Sequence, residues 1–599
     1  MNPSQENLDN IRHSLAHLLA AAVLKKFPKA KLGIGPTIEN GFYYDFELPA
    51  NKLADKQGFT PDDLIEFEKE IRHNIKASLT FSGQKLTPLK AKTIFKTQKF
   101  KLELIKDLSK EKKQLTLYKT GEIFQDLCRG GHVRNTNEIN PDAFKLTHTA
   151  GAYWKGDEKK PQLQRIYGVA FENKEDLEKY WWREEEAKKR DHRKLGKELG
   201  LYTIIDEIGS GLPLFYPKGA ILRRLVENFI TELQEQKGYL PIWIPHITKG
   251  ELYKISGHLD KYDAMYPPVK LKNESDYYLK PMNCPHFMML YKSQPRSYRD
   301  LPIRWTSTTT NYRLEKSGEL TGLTRVRSIT QDDCHVFCEP DDIEKIINEM
   351  LDMISETYKV FGFHDFSVRI STHDPKDKQK YIGNPKIWGV AEEILTRVIK
   401  KRNWKHEIGI GEAAFYGPKL DFIFKDALGR DWQLSTIQLD MNLPSRFELH
   451  YTPKGEGEEN SKPLPPAEPV VIHRAILGST ERFLGILIEH FAGAFPLWLS
   501  PIQARVLAIS DKQADYANKI FSELKQSGIR AEISQSNETL GKRIRQAQLD
   551  KIPYLLIVGD KEKTTNEVSV RHHKRGDDGV LKLDECISKM KLEIDEKII

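Results

Sequence analysis

Apolar positions recur with helical period through GAILRRLVENFITELQEQKG and DYANKIFSELKQSG, whereas LDFIF, VVIHRAI, ARVLAI, IRAEIS and YLLIVG are short runs of strand length. The first pattern predicts amphipathic helices, one of them over 219–237, and the second predicts strands with at least one buried face. Residues 174–200, KEDLEKYWWREEEAKKRDHRKLGKELG, hold no Gly or Pro before Gly196 and mix both charge signs at helical spacing. That pattern is a solvated connecting helix, with Trp181 and Trp182 expected to dock it on a neighbouring domain. It separates an α+β region, 1–173, from a longer region of alternating helices and strands, 201–500. A loop rich in Gly, Pro and Glu, YTPKGEGEENSKPLPPAEP at 451–469, interrupts the latter. From about 503 strand and helix alternate closely, which predicts a small α/β domain over 501–599.

Composition narrows the class. The 599 residues are 39% hydrophobic and 30% charged, as expected of a globular chain with several cores. Lys and Arg exceed Asp and Glu by 93 to 85, a mild excess that suits a polyanionic partner without demanding one. Five cysteines in so long a chain do not make a disulfide framework and suit a reducing compartment. The start, MNPSQENLDNIRHS, lacks the basic-then-apolar pattern of a signal peptide, and no apolar stretch is long enough to span a bilayer, so a cytoplasmic location without membrane contact is expected.

Candidate chemistry concentrates in the middle. NYRLEKSGE places Arg313 and Glu315 two apart, and TRVRSITQDDCHVF carries Arg325, Gln331 and Asp333; as strands, each would aim such residues at one face. HRAILGSTERFLGILIEHF puts Arg482 in the first turn of an apolar helix after Gly478. Guanidinium groups on neighbouring strands can clamp phosphates through paired hydrogen bonds. There is no GxxxxGK[ST] run, which argues against a P-loop.

Cys284, in KPMNCPHF, has no CxxC partner. Spacing alone points elsewhere, to Cys334 and Cys338 with His335, but adjacent strand residues face opposite ways, so Cys334 and His335 cannot share a pocket. Cys334 and Cys338 are therefore expected in the core.

Taken in order, KPMNC, RSYRDLPIR, TRVR, TQDDCHVFC, AAFYGPKLDF, IQLD, LPSRFEL, HRAILGSTERF and FAGAFPLWLSP resemble the threonyl-tRNA synthetases, and the likeness spans nearly the whole chain. The resemblance implies an α+β multidomain protein with a class II antiparallel-sheet core and a homodimer formed around the helix at 219–237 and the strand YLPIWIPHI. It implies a ligase that activates L-threonine with ATP and Mg²⁺ and transfers it to tRNA(Thr). Cys284, His335 and His473, 51 and 138 residues apart, would hold one catalytic zinc with a position left open. Asp333 would hold the threonine hydroxyl. Met282, Gln331, Tyr416, Lys419, Gln433, Gln438 and Ser479 would surround the amino acid or adenylate. Arg313 would meet the α-phosphate, Arg325 the γ-phosphate, Glu315 the adenine amino group, and Arg482 the adenine face. Against the family pattern, Ile329 stands for a stacking Phe, Ser435 for Gly near the pocket, TSTTTNYR for a GSCHR-like run, and NCPHF for NCPGH or NCPHH.

At the N-terminus, HSLAH places His13 and His17 on one helical face, and QDLCRGGH adds Asp126, Cys128 and His132. Alone, this set is compatible with a half-buried pair or a zinc site. With GPTIENGFYYDF, KLTHTAGAYWKGD and LQRIYG it resembles the editing domain of bacterial threonyl enzymes, which is read as metal-free and hydrolyses Ser-tRNA(Thr). Gly131 replaces the Pro of the usual CRGPH, and no room remains before His13 for the ubiquitin-like TGS domain that often opens the family. The last domain resembles the α/β anticodon-binding domain, with Asn537, Glu562 and Arg571 at base-contacting positions and Arg545 and Lys551 as further candidates.

Overall fold

The computed structural model describes residues 3–48, 58–377, 379–454, 465–534 and 538–599, in two compact units, Met1–Glu185 and Glu186–Ile599. The division falls inside the connecting helix, Lys174–Arg190. That helix ends where Asp191 accepts the Arg193 N–H and caps a second helix, His192–Glu198, so the expected single helix is two. Trp181 lies beside Lys145 at 4.7 Å, whereas Trp182 is 57% exposed.

In the first unit the helix Pro3–Lys26 buries Leu15, Leu18, Leu19 and Val23. A second helix, Pro61–Lys76, starts at a capping box formed by Thr60 and Asp63. Both pack against an antiparallel sheet in which Lys31–Leu32, Gly41–Glu47, Gln162–Ala170 and Phe144–Tyr153 lie side by side, with Thr37–Ile38 also paired to Gly41–Glu47. A separate three-stranded sheet, Phe81–Leu86, Leu115–Thr120 and Phe124–Leu127, carries Asp126 toward Cys128.

The second unit is built on eight strands in the order Leu240–Pro241, Ile303–Tyr312, Ser328–Cys338, Val470–Ala475, Asp431–Asp440, Lys419–Lys425, Phe366–Thr372 and His406–Ile410. All neighbours are antiparallel except the pair at each edge. Helices Pro217–Gln236, Ile343–Val360 and Thr480–His490 cover one face, where Cys334, Val336, Cys338, Ile437, Leu439 and Ile472 join one apolar core. Alternation turns Gln331, Asp333 and His335 to the other face. Cys334 and Cys338 are thus in the core, on the side away from His335.

Three expectations are corrected. Arg313 and Glu315 lie beyond the end of the strand Ile303–Tyr312, and Arg325 lies in the turn before Ser328–Cys338, because this segment folds into a short loop closed by Thr321–Arg325 hydrogen bonds. Ser435 faces the core, where its hydroxyl donates to the Ile476 carbonyl and meets Tyr358. Of YLPIWIPHI, only Leu240–Pro241 joins the large sheet; Ile247–Lys249 pairs with Tyr277–Leu279 in a separate ribbon.

The C-terminal part places Ala531–Ser534, Ala504–Ala508 and Tyr554–Val558 in parallel, then Glu567–His572 and Gly576–Lys582 antiparallel, with its own core.

Candidate functional site

Strand register assembles the central site. Trp305, His335, His473, Gln438, Lys419 and Ser371 are successive direct partners across six strands, and direct partners share a face. Cys284 enters from the first turn of the helix Cys284–Lys292, which Pro285 helps to start. Donor atoms of Cys284, His335 and His473 lie within 4.8 Å of one another, and all three residues are buried.

The donor set fits a metal. Both ring nitrogens of His335 and Nδ1 of His473 are buried without a hydrogen-bond partner, a costly state unless an ion engages them. Burial, with the neighbouring His473, pushes the His335 pKa well below its ordinary value, leaving a lone pair free to ligate. Burial acts against charge on His473 too, yet the Cys284 sulfur and the Asp440 carboxylate, 2.9 Å from Nε2, raise its pKa to about 10. The protein surroundings favour positive charge there, and a divalent ion displacing that proton satisfies the same demand. Asp440 orients the ring from behind, the usual partner of a metal-bound histidine.

A cavity of about 360 Å³ opens beside these ligands, lined by Met282, Asp333, Tyr416, Lys419 and Gln438 among others. Asn283 donates to the Asp333 carboxylate at 2.8 Å, and Lys280 donates to Asn283 and Thr309. Burial lowers the Lys280 pKa to about 8, against the pull of Asp333. Tyr416 donates to Gln438 Oε1 at 2.5 Å, while Lys419, Gln433, Thr436 and Ser371 all bind the Asp421 carboxylate.

A second cavity, about 180 Å³, holds Glu315, Arg325, Ile329, Ser479 and Arg482, and shares Arg313, Gln331, Gln433 and Thr436 with the first. Arg325 is paired with Glu315 and Glu319. Burial lowers the Arg482 pKa, and the nearby Arg313 and Arg325 lower it further; clustered guanidiniums of this kind favour an anion. Ser479 caps the helix Thr480–His490 by accepting the Arg482 N–H at 3.3 Å.

In the first unit, donor atoms of His13, His17, Cys128 and His132 also lie within 4.8 Å of one another. They largely satisfy each other. Cys128 Sγ is 3.1 Å from His132 Nε2 and 3.5 Å from His13 Nε2, and His13 Nδ1 donates to the Gly131 carbonyl. Only His17 Nε2 is an orphan within this set. Burial lowers the pKa of His13 and of His17, takes His132 to about 3, and raises Cys128 to about 12, so the imidazoles and the thiol are neutral at pH 7. Gly131 sits at φ +82°, which proline cannot adopt, so this turn is shaped differently from a CRGPH turn. Asp126 is held by Lys101 at 2.6 Å and Tyr44 at 2.5 Å, all three buried.

Glu562 accepts the Gly559 N–H and caps its helix, Arg571 is exposed at a β-bulge, and Asn537 lies outside the described residues.

Sequence reasoning missed Lys280, Asn283, Asp440 and Lys101. Asp440 follows Gln438 by two on one strand face and was findable by alternation. Lys101 sits on the amphipathic helix Lys99–Lys110 and carries no local signal of its burial.

Three comparisons bear on these sites. Residues 268–491 match the model of the tRNA synthetase class II core domain (G, H, P, S and T), 503–593 the anticodon binding domain, and 115–167 the threonyl and alanyl tRNA synthetase second additional domain. The chain is 46% identical to a threonine–tRNA ligase of Chloroherpeton thalassium over 98% of its length and 88% of that protein. It is 46% identical to the one of Thermus thermophilus over 96% and 86%. The RNA binding domain of threonyl-tRNA synthetase from Cryptosporidium parvum superposes with a TM-score of 0.63 at 36% identity, covering 67% of this chain and 98% of that one.

Proposed function

The chain belongs to the threonine–tRNA ligases, class II aminoacyl-tRNA synthetases, and from that premise we propose how its residues divide the work. Cys284, His335 and His473 would hold one zinc ion, which when bound would supply Lewis-acid recognition of the substrate's amine and hydroxyl. The observation that carries this is the orphaned imidazole nitrogens beside a buried thiol at the floor of the cavity.

Asp333, fixed by Asn283, accepts a hydrogen bond from the threonine hydroxyl, and Tyr416 and Gln438 orient the amine. The carboxylate then lies where the two cavities meet. Arg313 lines both and stabilises negative charge on the α-phosphate as the carboxylate oxygen attacks and pyrophosphate leaves. Arg325 and Arg482 hold the rest of ATP, which brings its Mg²⁺ with it. The terminal ribose hydroxyl of tRNA(Thr) next attacks the acyl carbon and expels AMP. The hydroxyl-reading site rejects valine strongly, but serine differs by one methyl group, worth only about 10–200-fold. The second additional domain supports hydrolysis of mischarged tRNA. The cluster of His13, His17, Cys128 and His132 is where we place that reaction, with Lys101 and Asp126 beside it.

Exposed Trp243 (79%) and Leu240 (62%), next to the helix Pro217–Gln236, support a homodimer formed through this face. Among the described residues no helix is long and apolar enough to cross a membrane, and a cytoplasmic enzyme is the reading in keeping with that.

Metal analysis with ATP–pyrophosphate exchange tests the assignment. We expect about one zinc per chain, because one set of ligands is orphaned and the other self-satisfied. Threonine should support exchange, serine weakly and valine hardly at all. Metal-free protein that still charges tRNA with threonine would contradict it.

A further inference from the structure

His192 is a buried histidine outside every site described above. It opens the helix that follows Asp191, and both ring nitrogens are engaged. Nδ1 lies 2.6 Å from Glu489 Oε1, and Nε2 accepts the Leu323 N–H at 3.0 Å. The His192 backbone N–H also donates to Glu489, at 3.1 Å. Against the effect of burial, hydrogen bonds from His192 and Arg430 hold the Glu489 carboxyl below its usual range, so it is an acceptor and Nδ1 carries the hydrogen. One tautomer of a neutral imidazole satisfies both contacts. Asp191, His192 and Glu489 are close enough together to suggest a metal, but with both nitrogens occupied the ring has nothing left to ligate one.

The contacts join two parts of the phosphate cavity. Leu323 belongs to the loop closed by Thr321 and Arg325, and the next residue, Thr324, accepts from Arg482 Nε at 3.0 Å. Arg482 and Glu489 lie seven apart on one helix, two turns along the same face. The helix therefore grips the loop twice, directly through Arg482 and through His192 from Glu489. The fit is close. A Cβ on Gly322, which has φ +45°, would stand 2.2 Å from His192 Nε2, and one on Gly485 would touch Thr324, Leu323 and His192.

We propose that His192 is a positioning residue for ATP, a fixed-tautomer imidazole that bolts the loop bearing Arg325 to the helix bearing Arg482. The inference rests on the reading of Arg325 and Arg482 as ATP-holding groups. Because the bolt sets loop placement without touching substrate, its loss misplaces Arg325 and weakens ATP use while leaving the threonine cavity as it is.

Steady-state ATP–pyrophosphate exchange on the full-length enzyme tests this with His192→Phe, His192→Gln and Arg482→Ala. His192→Phe keeps a ring and removes both hydrogen bonds. We expect kcat/KM for ATP to fall by about 10- to 100-fold, the scale of a misplaced group, with KM for threonine and zinc content unchanged. His192→Gln can donate and accept at similar reach and should recover most of the loss. Unchanged ATP kinetics in His192→Phe, an equal shift in both KM values, or no recovery in His192→Gln would overturn the proposal. Arg482→Ala separates the premises: if it leaves ATP kinetics intact, the ATP reading itself is wrong. Nitrogen-15 spectra of histidine-labelled wild-type enzyme need no variant to fold. They should show His192 neutral with Nε2 unprotonated, and a protonated ring or the other tautomer would sink the proposal.

Discussion

Cys284→Ala is expected to abolish threonine activation while leaving hydrolysis of Ser-tRNA(Thr) intact. The substitution removes the sulfur from a buried set in which His335 has no other partner for either nitrogen. Two imidazoles without the thiolate make a weak site for zinc, so metal content should fall from about one per chain to a small fraction. Without the ion the hydroxyl and amine of threonine lose their recognition, and a site of this type owes about 10⁴–10⁵-fold of its discrimination to such contacts. Threonine-dependent exchange should therefore drop by on the order of 10³-fold or more, and the residual activity should no longer distinguish threonine from valine. The fold should survive, because Cys284 sits at a helix start beside the separate apolar cluster of Phe287, Met288 and Tyr291. Deacylation is measured on pre-charged Ser-tRNA(Thr). It should stay within about twofold, since the histidine cluster lies in a unit with its own core. Full exchange activity in metal-depleted Cys284→Ala would remove the zinc assignment.

The trio of Cys284, His335 and His473 also shows what could be read from the sequence and what could not. Strand alternation in TQDDCHVFC correctly separated Cys334 from His335. It could not pair His335 with His473, because register across 138 residues is set by the whole sheet. Family resemblance supplied that link. The arginine loop reads as strands for a local reason. YRLEKSGELTGLTRVR alternates well enough to pass for strands, yet its chain turns back on itself through Ser317–Glu319 and the Thr321–Arg325 closure. Those residues still reach one cavity, from loops rather than strands. Ser435, a departure from the family pattern expected near the pocket, proved to face the core, one position out of phase with Thr436. Nothing local marked His192 or Lys101, because burial of a polar group depends on what folds over it.

The remaining large effect belongs to the first unit, where His13→Ala should turn an accurate enzyme into one that accumulates Ser-tRNA(Thr). Of the three clustered imidazoles, His17 is almost fully buried and His132 is enclosed by His13, His17, Phe81 and Tyr118. His13 Nδ1 donates to the Gly131 carbonyl, so Nε2 keeps its lone pair; Cys128 Sγ stands 3.5 Å from it but closer, 3.1 Å, to His132, which leaves the His13 lone pair as the acceptor offered to a water. Removing a positioned proton acceptor costs about 10²–10⁴-fold, so deacylation should fall by that order while threonine activation is unchanged. Misacylation should then be limited only by the first site, with serine charged at about 1/10 to 1/200 the rate of threonine. The pH profile gives an independent check. Burial lowers the His13 pKa below its ordinary value, so the neutral ring persists to more acid pH than a free imidazole would. Wild-type deacylation should keep its rate as pH drops through 6.5, the ordinary value, and decline only below it. The same depression means that the unfolded chain binds protons first, so the unit loses stability as pH falls below that ordinary value. A deacylation limb centred at or above 6.5, or a His13→Ala enzyme that still clears Ser-tRNA(Thr) at full rate, would move the reaction away from this cluster.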